Sequence, residues 1–295
     1  LYLNAVPKYL SNFLVKKKEG MINSGFIGYG KMGSVLLNSL LKSGAIKEDS
    51  VFVNTRSIQK LSCLKSQYPS VTILDNIQLI VEKCRIIFIC VGTHDVKTII
   101  DQVKPFASPD LHLILISGGL EITTVQSTID CKITRIMPTM LAQVNEGVTL
   151  IAHNKRVEEN DKIFICNLLK RIGDVYELEE SEFNAATNLT SCAPAFIAFL
   201  LDQYIGSVIR NSRLSYTEAY DLFKSTVTGT LKLLEINGET TSELISRVAT
   251  KGGATETGIK ILSEKLPEAF DQLMSVTMER HITRSKETQK QFGIC

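Results

Sequence analysis

Gly25-Phe26-Ile27-Gly28-Tyr29-Gly30-Lys31-Met32-Gly33 is the stretch that decides the fold. Gly25-Phe26-Ile27 reads as a short strand, and residues 32–41 read as a helix ended near Gly44. Between them stands GxGxxG, and its placement carries more information than its letters. A strand that enters a glycine turn and leaves it as a helix is the phosphate-binding start of a dinucleotide-binding unit. The first glycine permits the tight turn, the second lets backbone approach a pyrophosphate, and the third lets helix and strand pack closely. Backbone N–H groups and the positive end of the helix dipole hold the negative charge. Gly28, Tyr29, Gly30, Lys31, Met32 and Gly33 are therefore the expected cofactor cradle.

The same alternation continues outward. Residues 51–53, 71–73, 85–91, 111–116, 132–136 and 147–152 read as strands, with a polar-faced helix over residues 57–66. Arg85-Ile86-Ile87-Phe88-Ile89-Cys90-Val91 holds an unbroken apolar run, which suits a parallel strand covered on both faces. Strands alternating with helices imply βαβ units, so the fold class is α/β with an N-terminal Rossmann-type doubly wound parallel sheet. About 20 residues beyond the glycine loop, an NAD-binding chain usually carries Asp or Glu for the ribose 2′-OH. Here the position reads Val53-Asn54-Thr55-Arg56-Ser57, with no carboxylate. Asn54, Arg56 and Ser57 suit a 2′-phosphate instead, Arg56 through a bidentate charge-assisted bond. NADP(H) is the expected cofactor, with NAD(H) as the second choice.

After about Glu177 the strand signals stop. Residues 182–188, 194–210, 217–235, 241–248 and 267–289 read as helices, Pro194 suiting a first helical turn. Ala195 to Ile209 is apolar on nearly every side, including Phe196, Ile197, Phe199, Leu200, Leu201, Ile205 and Val208. Such a helix has to be covered, and in a region of this size a second subunit is the natural cover. The 295 residues divide into a dinucleotide-binding domain over residues 21–177 and an all-helical domain over residues 178–295. Residues 1–20 place Lys16-Lys17-Lys18 behind an apolar stretch, the reverse of a secretory signal, and Met21 directly precedes the first strand. This leader is read as lying outside the fold.

Composition narrows the function. Lys+Arg 33 against Asp+Glu 31 gives a net charge of +2, without the basic excess of a nucleic-acid binder. No uninterrupted apolar run reaches the length of about 18 residues that crosses a bilayer. The seven cysteines are odd in number and form no CxxC pair, which fits a reducing cytoplasm better than a disulfide framework. The four histidines are far apart and show no metal-binding spacing.

Four stretches carry a family resemblance: Gly28-Tyr29-Gly30-Lys31-Met32-Gly33, Arg135-Ile136-Met137-Pro138, Ser191-Cys192-Ala193-Pro194-Ala195 and Lys251-Gly252-Gly253-Ala254-Thr255. On these the chain, from about residue 21 to about residue 292, resembles the pyrroline-5-carboxylate reductase family, which makes proline by reducing a cyclic imine. The resemblance implies a Rossmann domain followed by a helical dimerisation domain, NAD(P)H as hydride donor, and higher oligomers built from dimers. It implies that Val91, Gly92, Met137 and Pro138 lie at the cofactor. It also implies that Thr250 and the Gly252-Gly253-Ala254-Thr255 loop bind the substrate carboxylate, with Thr255 placing a hydroxyl near the ring nitrogen.

The departures are as informative. The family's Ala-Val-Lys-Pro is Cys90-Val91-Gly92-Thr93 here, its Met-Pro-Asn is Met137-Pro138-Thr139, and its Ser-Pro-Gly-Gly is Thr250-Lys251-Gly252-Gly253. The pattern is also similar to a diverged branch associated with late-competence genes, in which Lys-Gly-Gly occurs. The loop's own reading is a helix N-terminus, because helix signal resumes at about Glu256; Thr255 is then also a natural N-cap of that helix, the plainer alternative. Imine reduction suits this sparse inventory, since a protonated imine carbon is already electrophilic and the protein mainly positions donor and acceptor. Oxidation of an alcohol needs a base, and residues 182–203 contain neither Lys nor His. Three readings stay open: a pyrroline-5-carboxylate reductase, a reductase of another small imine, and a nucleotide-binding interaction protein without turnover.

Overall fold

The computed structural model describes residues 22–56, 58–116 and 118–294. The reading of residues 1–20 as a leader, and of Ser57 as a cofactor contact, falls outside the described residues.

Eight strands form one sheet in the order β3-β2-β1-β4-β5-β6-β7-β8. They are β1 Ser24–Ile27, β2 Val51–Asn54, β3 Thr72–Ile73, β4 Ile86–Ile89, β5 His112–Leu115, β6 Lys132–Met137, β7 Gly147–His153 and β8 Gly173–Glu177. The order reverses between β1 and β4, the switch point at which doubly wound sheets open a crevice for ligands. Pairing is parallel from β3 through to β6, but β6 and β7 run antiparallel before β7 and β8 pair in parallel again. The expected doubly wound parallel sheet is present, with this one antiparallel pair added to it. A short turn around residues 140–144 sends the chain straight back, leaving no room for a crossover helix. Strand β8 escapes periodicity because Asp174, Tyr176 and Glu177 are exposed and leave too little apolar pattern.

Both faces of the sheet are covered by helices. On one face α1, Lys31–Lys42, and α6, Glu159–Leu169, pack Leu36, Leu37, Leu40, Ile165 and Leu169 against Phe26, Phe88 and Ile136. The rings of Phe26 and Phe88 stack with centroids 4.5 Å apart. On the other face α3, Ile77–Lys83, α4, Val96–Val103, and α5, Ile122–Gln126, pack against Ile27, Ile87, Ile89, Leu113 and Leu115. The helix expected over residues 57–66 forms α2 over Leu61–Gln67, behind a short 3-10 turn.

Beyond β8 the described chain is helical. It runs through α7 Phe183–Thr187, a π-turn Asn188–Cys192, α8 Ala193–Arg210, α9 Tyr216–Asn237, α10 Thr241–Val248 and α11 Ala254–Gln291. Capping boxes start two of these helices: Ser215 with Glu218 opens α9, and Thr240 with Glu243 opens α10. Helix α11 corrects the expectation of a new start at Pro267, because one helix of 38 residues passes through that proline. The carbonyl that loses its partner belongs to Ser263, on an exposed stretch where solvent is free to replace the lost hydrogen bond.

Contacts at both ends of the helical region tie it to the sheet. Buried Arg135 of β6 pairs with Glu180 at 2.8 Å and lies over the Phe183 ring at 4.8 Å. Both oxygens of Glu180 accept from the Ile122 N–H, at 3.0 and 3.1 Å. At the far end of α11, Arg284 donates to Thr93 at 3.0 Å, and Phe292 packs against the α4 face of the sheet. As a continuous helix, Glu180–Arg210 does reach the length and apolarity that crosses a bilayer, although no single apolar run in it is that long. Within α8 only Ile205 is buried.

Candidate active site

The glycine loop is built as its motif requires. Gly28 takes φ +99, and a Cβ there would sit 2.7 Å from the Cys90 carbonyl oxygen. Its N–H donates to the Asn54 carbonyl at 2.7 Å, which ties the loop to the end of β2. A Cβ on Gly33 would lie 2.6 Å from the Gly28 carbonyl oxygen, so this glycine serves close packing of α1 on the loop. Gly30 differs: nothing lies within 4 Å of where its Cβ would be. It is the N-cap of α1, no side chain caps it, and the first turn carries no acidic residue. Uncapped N–H groups beside open space are a cradle for an anion.

That cradle opens into a cleft of ≈ 1120 Å³ at the switch point. Gly28, Tyr29, Gly30, Asn54, Arg56, Val91 and Gly92 all line it. Lys31, Met32, Gly33, Met137 and Pro138 do not. Lys31 and Met32 form the first turn of α1, Gly33 serves packing, and Met137 and Pro138 stand at the end of β6 on the far side of β5. The opposite wall was not legible in the sequence: it comes from Leu74 to Gln78 after β3 and from Thr98, Ile99 and Gln102 of α4. These residues carry no motif, and only the position of their elements beside the glycine loop marks them.

Individual side chains already have local duties. The Asn54 amide donates to the Leu74 carbonyl at 2.9 Å, joining the ends of β2 and β3. The Tyr29 hydroxyl donates to Asn38 at 2.8 Å, and burial raises its pKa, so it stays neutral across the working range. Burial likewise pushes the Cys90 thiol up, away from any thiolate role. Arg56 reaches from the end of β2 to Asp95, at 2.6 Å. Among the described residues no group of three His, Cys, Asp or Glu side chains is placed to hold a metal ion.

The second expected cluster lies elsewhere. Thr250, Gly252, Gly253, Ala254 and Thr255 form an exposed or half-exposed turn at the start of α11, and none of them lines the cleft. The N-cap of α11 is Gly253, in extended backbone at φ −82 and ψ 167, and the helix begins at Ala254. The reading of Thr255 as N-cap is therefore corrected: Thr255 is already inside the first turn. Glu256 explains the offset, because its carboxylate accepts the Gly252 N–H at 2.7 Å and holds the turn one step earlier. The Gly253 N–H donates to the Thr250 carbonyl at 2.9 Å.

Comparison with known proteins finds two family models along the chain. Residues 180–288 match the family model for pyrroline-5-carboxylate reductase dimerisation. Residues 23–119 match the model for NADP oxidoreductase, coenzyme F420-dependent. "Pyrroline-5-carboxylate reductase 3" of Bacillus subtilis is 31% identical over 268 residues, covering 90% of this chain and 98% of that protein. "ComE operon protein 4" of the same organism is 27% identical over 270 residues, covering 92% of this chain and 99% of that protein. Among solved structures, the pyrroline carboxylate reductase of Plasmodium falciparum with NADP bound superposes with a TM-score of 0.78 at 24% identity. That match covers 92% of this chain and 100% of the other. At 31% identity over nearly the whole of both chains, the chain belongs to the pyrroline-5-carboxylate reductase family.

Proposed function

We propose that the protein reduces 1-pyrroline-5-carboxylate to L-proline with NADPH, NADH serving less well. The observation that carries the reading is the glycine-loop cleft, with uncapped α1 N–H groups at its floor and Arg56 in place of a carboxylate after β2. Bound NADPH supplies a hydride to the imine carbon, and one proton reaches the ring nitrogen. The chain's part is to hold and orient. Gly28 and Gly30, with the first turn of α1, take the pyrophosphate. Arg56 takes the 2′-phosphate, while Val91 and Gly92 shape the floor beyond the loop, with Met137 and Pro138 further along the sheet.

The substrate carboxylate is held at the start of α11, where the first-turn N–H groups of Ala254 and Thr255 and the small residues Gly252 and Gly253 allow close approach. Thr255 presents the hydroxyl that orients or relays the proton. Because this turn is absent from the chain's own cleft, the working site needs a second copy. The dimerisation family match and the uncovered apolar residues of α8 support a homodimer through the helical domain, residues 178–295. Dimers of this kind assemble further into higher oligomers, and the thiols of the described cysteines, all free, suit a reducing cytoplasm.

A second reading has its own support. The similarity to "ComE operon protein 4", together with Gly92 and Lys251 at positions where the family carries lysine and proline, favours a nucleotide-binding protein that turns over another imine or none. The deciding measurement is NADPH consumption with the cyclic imine. Steady oxidation supports the first reading, and NADPH binding without oxidation supports the second. Arg56→Ala adds a direct check on the cofactor. A lost charge-assisted bond is about 1.5–3 kcal/mol, so NADPH binding should weaken about tenfold or more while NADH is spared.

A further inference from the structure

Arg56 and Asp95 follow β2 and β4, the two strands that flank β1 and its glycine loop. Asp95 closes a 3-10 turn, Thr93–Asp95, that leads into α4. Nη2 of Arg56 lies 2.6 Å from Oδ2 of Asp95, and both residues line the same cleft as Gly28 and Gly30. Among the described residues neither forms another ion pair. The link therefore joins the two lips of the crevice into which a dinucleotide has to pass. It is also wet: the Arg56 side chain is 84% exposed and that of Asp95 38%.

We propose that Asp95 is a resident counter-anion of the cofactor site, which occupies Arg56 when no nucleotide is bound and sets how strongly the site prefers a phosphorylated ribose. The inference rests on the reading of Arg56 as the 2′-phosphate ligand. A phosphate can engage Arg56 only by displacing the Asp95 carboxylate or by lying close to it, and both oppose binding. A ribose 2′-hydroxyl meets neither penalty and can donate to the carboxylate. Asp95 thus works against NADPH and for NADH, from the opposite lip to the one that carries an acidic residue in NAD-binding chains. The exposure of the pair sets the size: exposed ion pairs are weak and screened, so the opposition is worth about two- to fivefold in affinity.

The alternative is a plain staple between two loops, and the two roles differ in what they move. Equilibrium titrations with adenosine 2′,5′-bisphosphate, NADPH and NADH, followed by calorimetry, are compared for the unaltered protein, Asp95→Asn and Arg56→Ala, with melting temperatures recorded alongside. Asp95→Asn should tighten the bisphosphate and NADPH by about two- to fivefold. It should leave NADH unchanged or weaker, with melting temperature unaltered. If Asp95→Asn leaves the bisphosphate unchanged, or shifts all three ligands together with the melting temperature, Asp95 is only a staple and the proposal is overturned. In that case a selective loss of the bisphosphate and NADPH in Arg56→Ala keeps the 2′-phosphate reading standing. Equal losses of NADPH and NADH in Arg56→Ala would overturn that reading itself, and the counter-anion role with it.

Discussion

The sheet half and the helical half use apolar residues in opposite ways. Every residue of β1, β4 and β5 is buried, including His112. Helix α8 is the more apolar by sequence, yet Ile197, Phe199, Leu200 and Tyr204 all stand exposed on it. Phe199 is 64% exposed, and Leu222, Leu231 and Ile236 on α9 are exposed as well. An apolar patch of that extent on an isolated chain marks a surface that meets another protein. The sheet half covers its central strands within one chain, whereas the helical half leaves the cover of α8 to a second. The same contrast answers the bilayer-length helix: Glu180–Arg210 lies inside the region that matches the dimerisation family, so its apolar side is read as facing protein.

The sharpest way to break this comparison is a matched pair of substitutions. Leu36→Ala removes a fully buried side chain of α1 and should cost about 2–5 kcal/mol of unfolding free energy without changing the assembly. Phe199→Asp lies on an exposed position of the isolated chain, where a substitution normally shifts stability by less than about 0.5 kcal/mol. It should nevertheless abolish the dimer in sedimentation velocity. A strictly monomeric unaltered protein at micromolar concentration, or a Phe199→Asp dimer indistinguishable from it, would show that the helical half does not depend on a second copy.

Acid should separate the halves next. The Thr134 hydroxyl of β6 sits between His112 of β5, at 2.6 Å, and His153 of β7, at 2.8 Å. Burial lowers both imidazoles, from 6.5 to about 4. The folded chain therefore favours the neutral rings, while the unfolded chain takes up protons below about pH 6.5. The stabilisation is fully present above that pH and is lost as pH falls towards 4. For His112, only 2% exposed, the loss amounts to about 3 kcal/mol. Half-buried His153 acts in the same direction, as does His281 on α11, lowered chiefly by burial. Urea midpoints measured between pH 7 and pH 4.5 should fall steeply, and His112→Gln should flatten the slope. An equal slope in the variant would remove His112 from the account.

The smallest expected effect tests the start of α11. Since Gly253 and not Thr255 caps the helix, Thr255→Val should leave the melting temperature nearly unchanged. If Thr255 serves the reaction, valine should lower turnover by more than about tenfold, a barrier of about 1.4 kcal/mol, with NADPH affinity intact. Thr255→Ser, which keeps the hydroxyl, should retain most of the rate. Unaltered turnover in the valine variant would leave the exposed turn without a chemical role and weaken the argument for a shared site.

What could be read directly from the residues is whatever depends on near neighbours in the chain. The strand–glycine turn–helix of residues 25–41 is local as a pattern, GxGxxG between a strand and a helix, although part of the crowding that demands glycine comes from Cys90 on the neighbouring strand's end. The buried runs at 86–89 and 112–115, and the helices from residue 183 onward, are local in the same sense, since periodicity is a property of neighbouring side chains. Strand β8 was not legible, because an edge strand with exposed Asp174, Tyr176 and Glu177 has no periodic face to show. Nor was the passage of α11 through Pro267, which depends on that stretch lying in water. The Arg56–Asp95 pair joins residues 39 apart, and the wall from α3 and α4 meets the glycine loop only because β1 is laid between β2 and β4. Residue type and spacing determined which chemistry this chain can perform; strand order and packing decided which of those residues meet, because proximity across a sheet is not written in sequence distance.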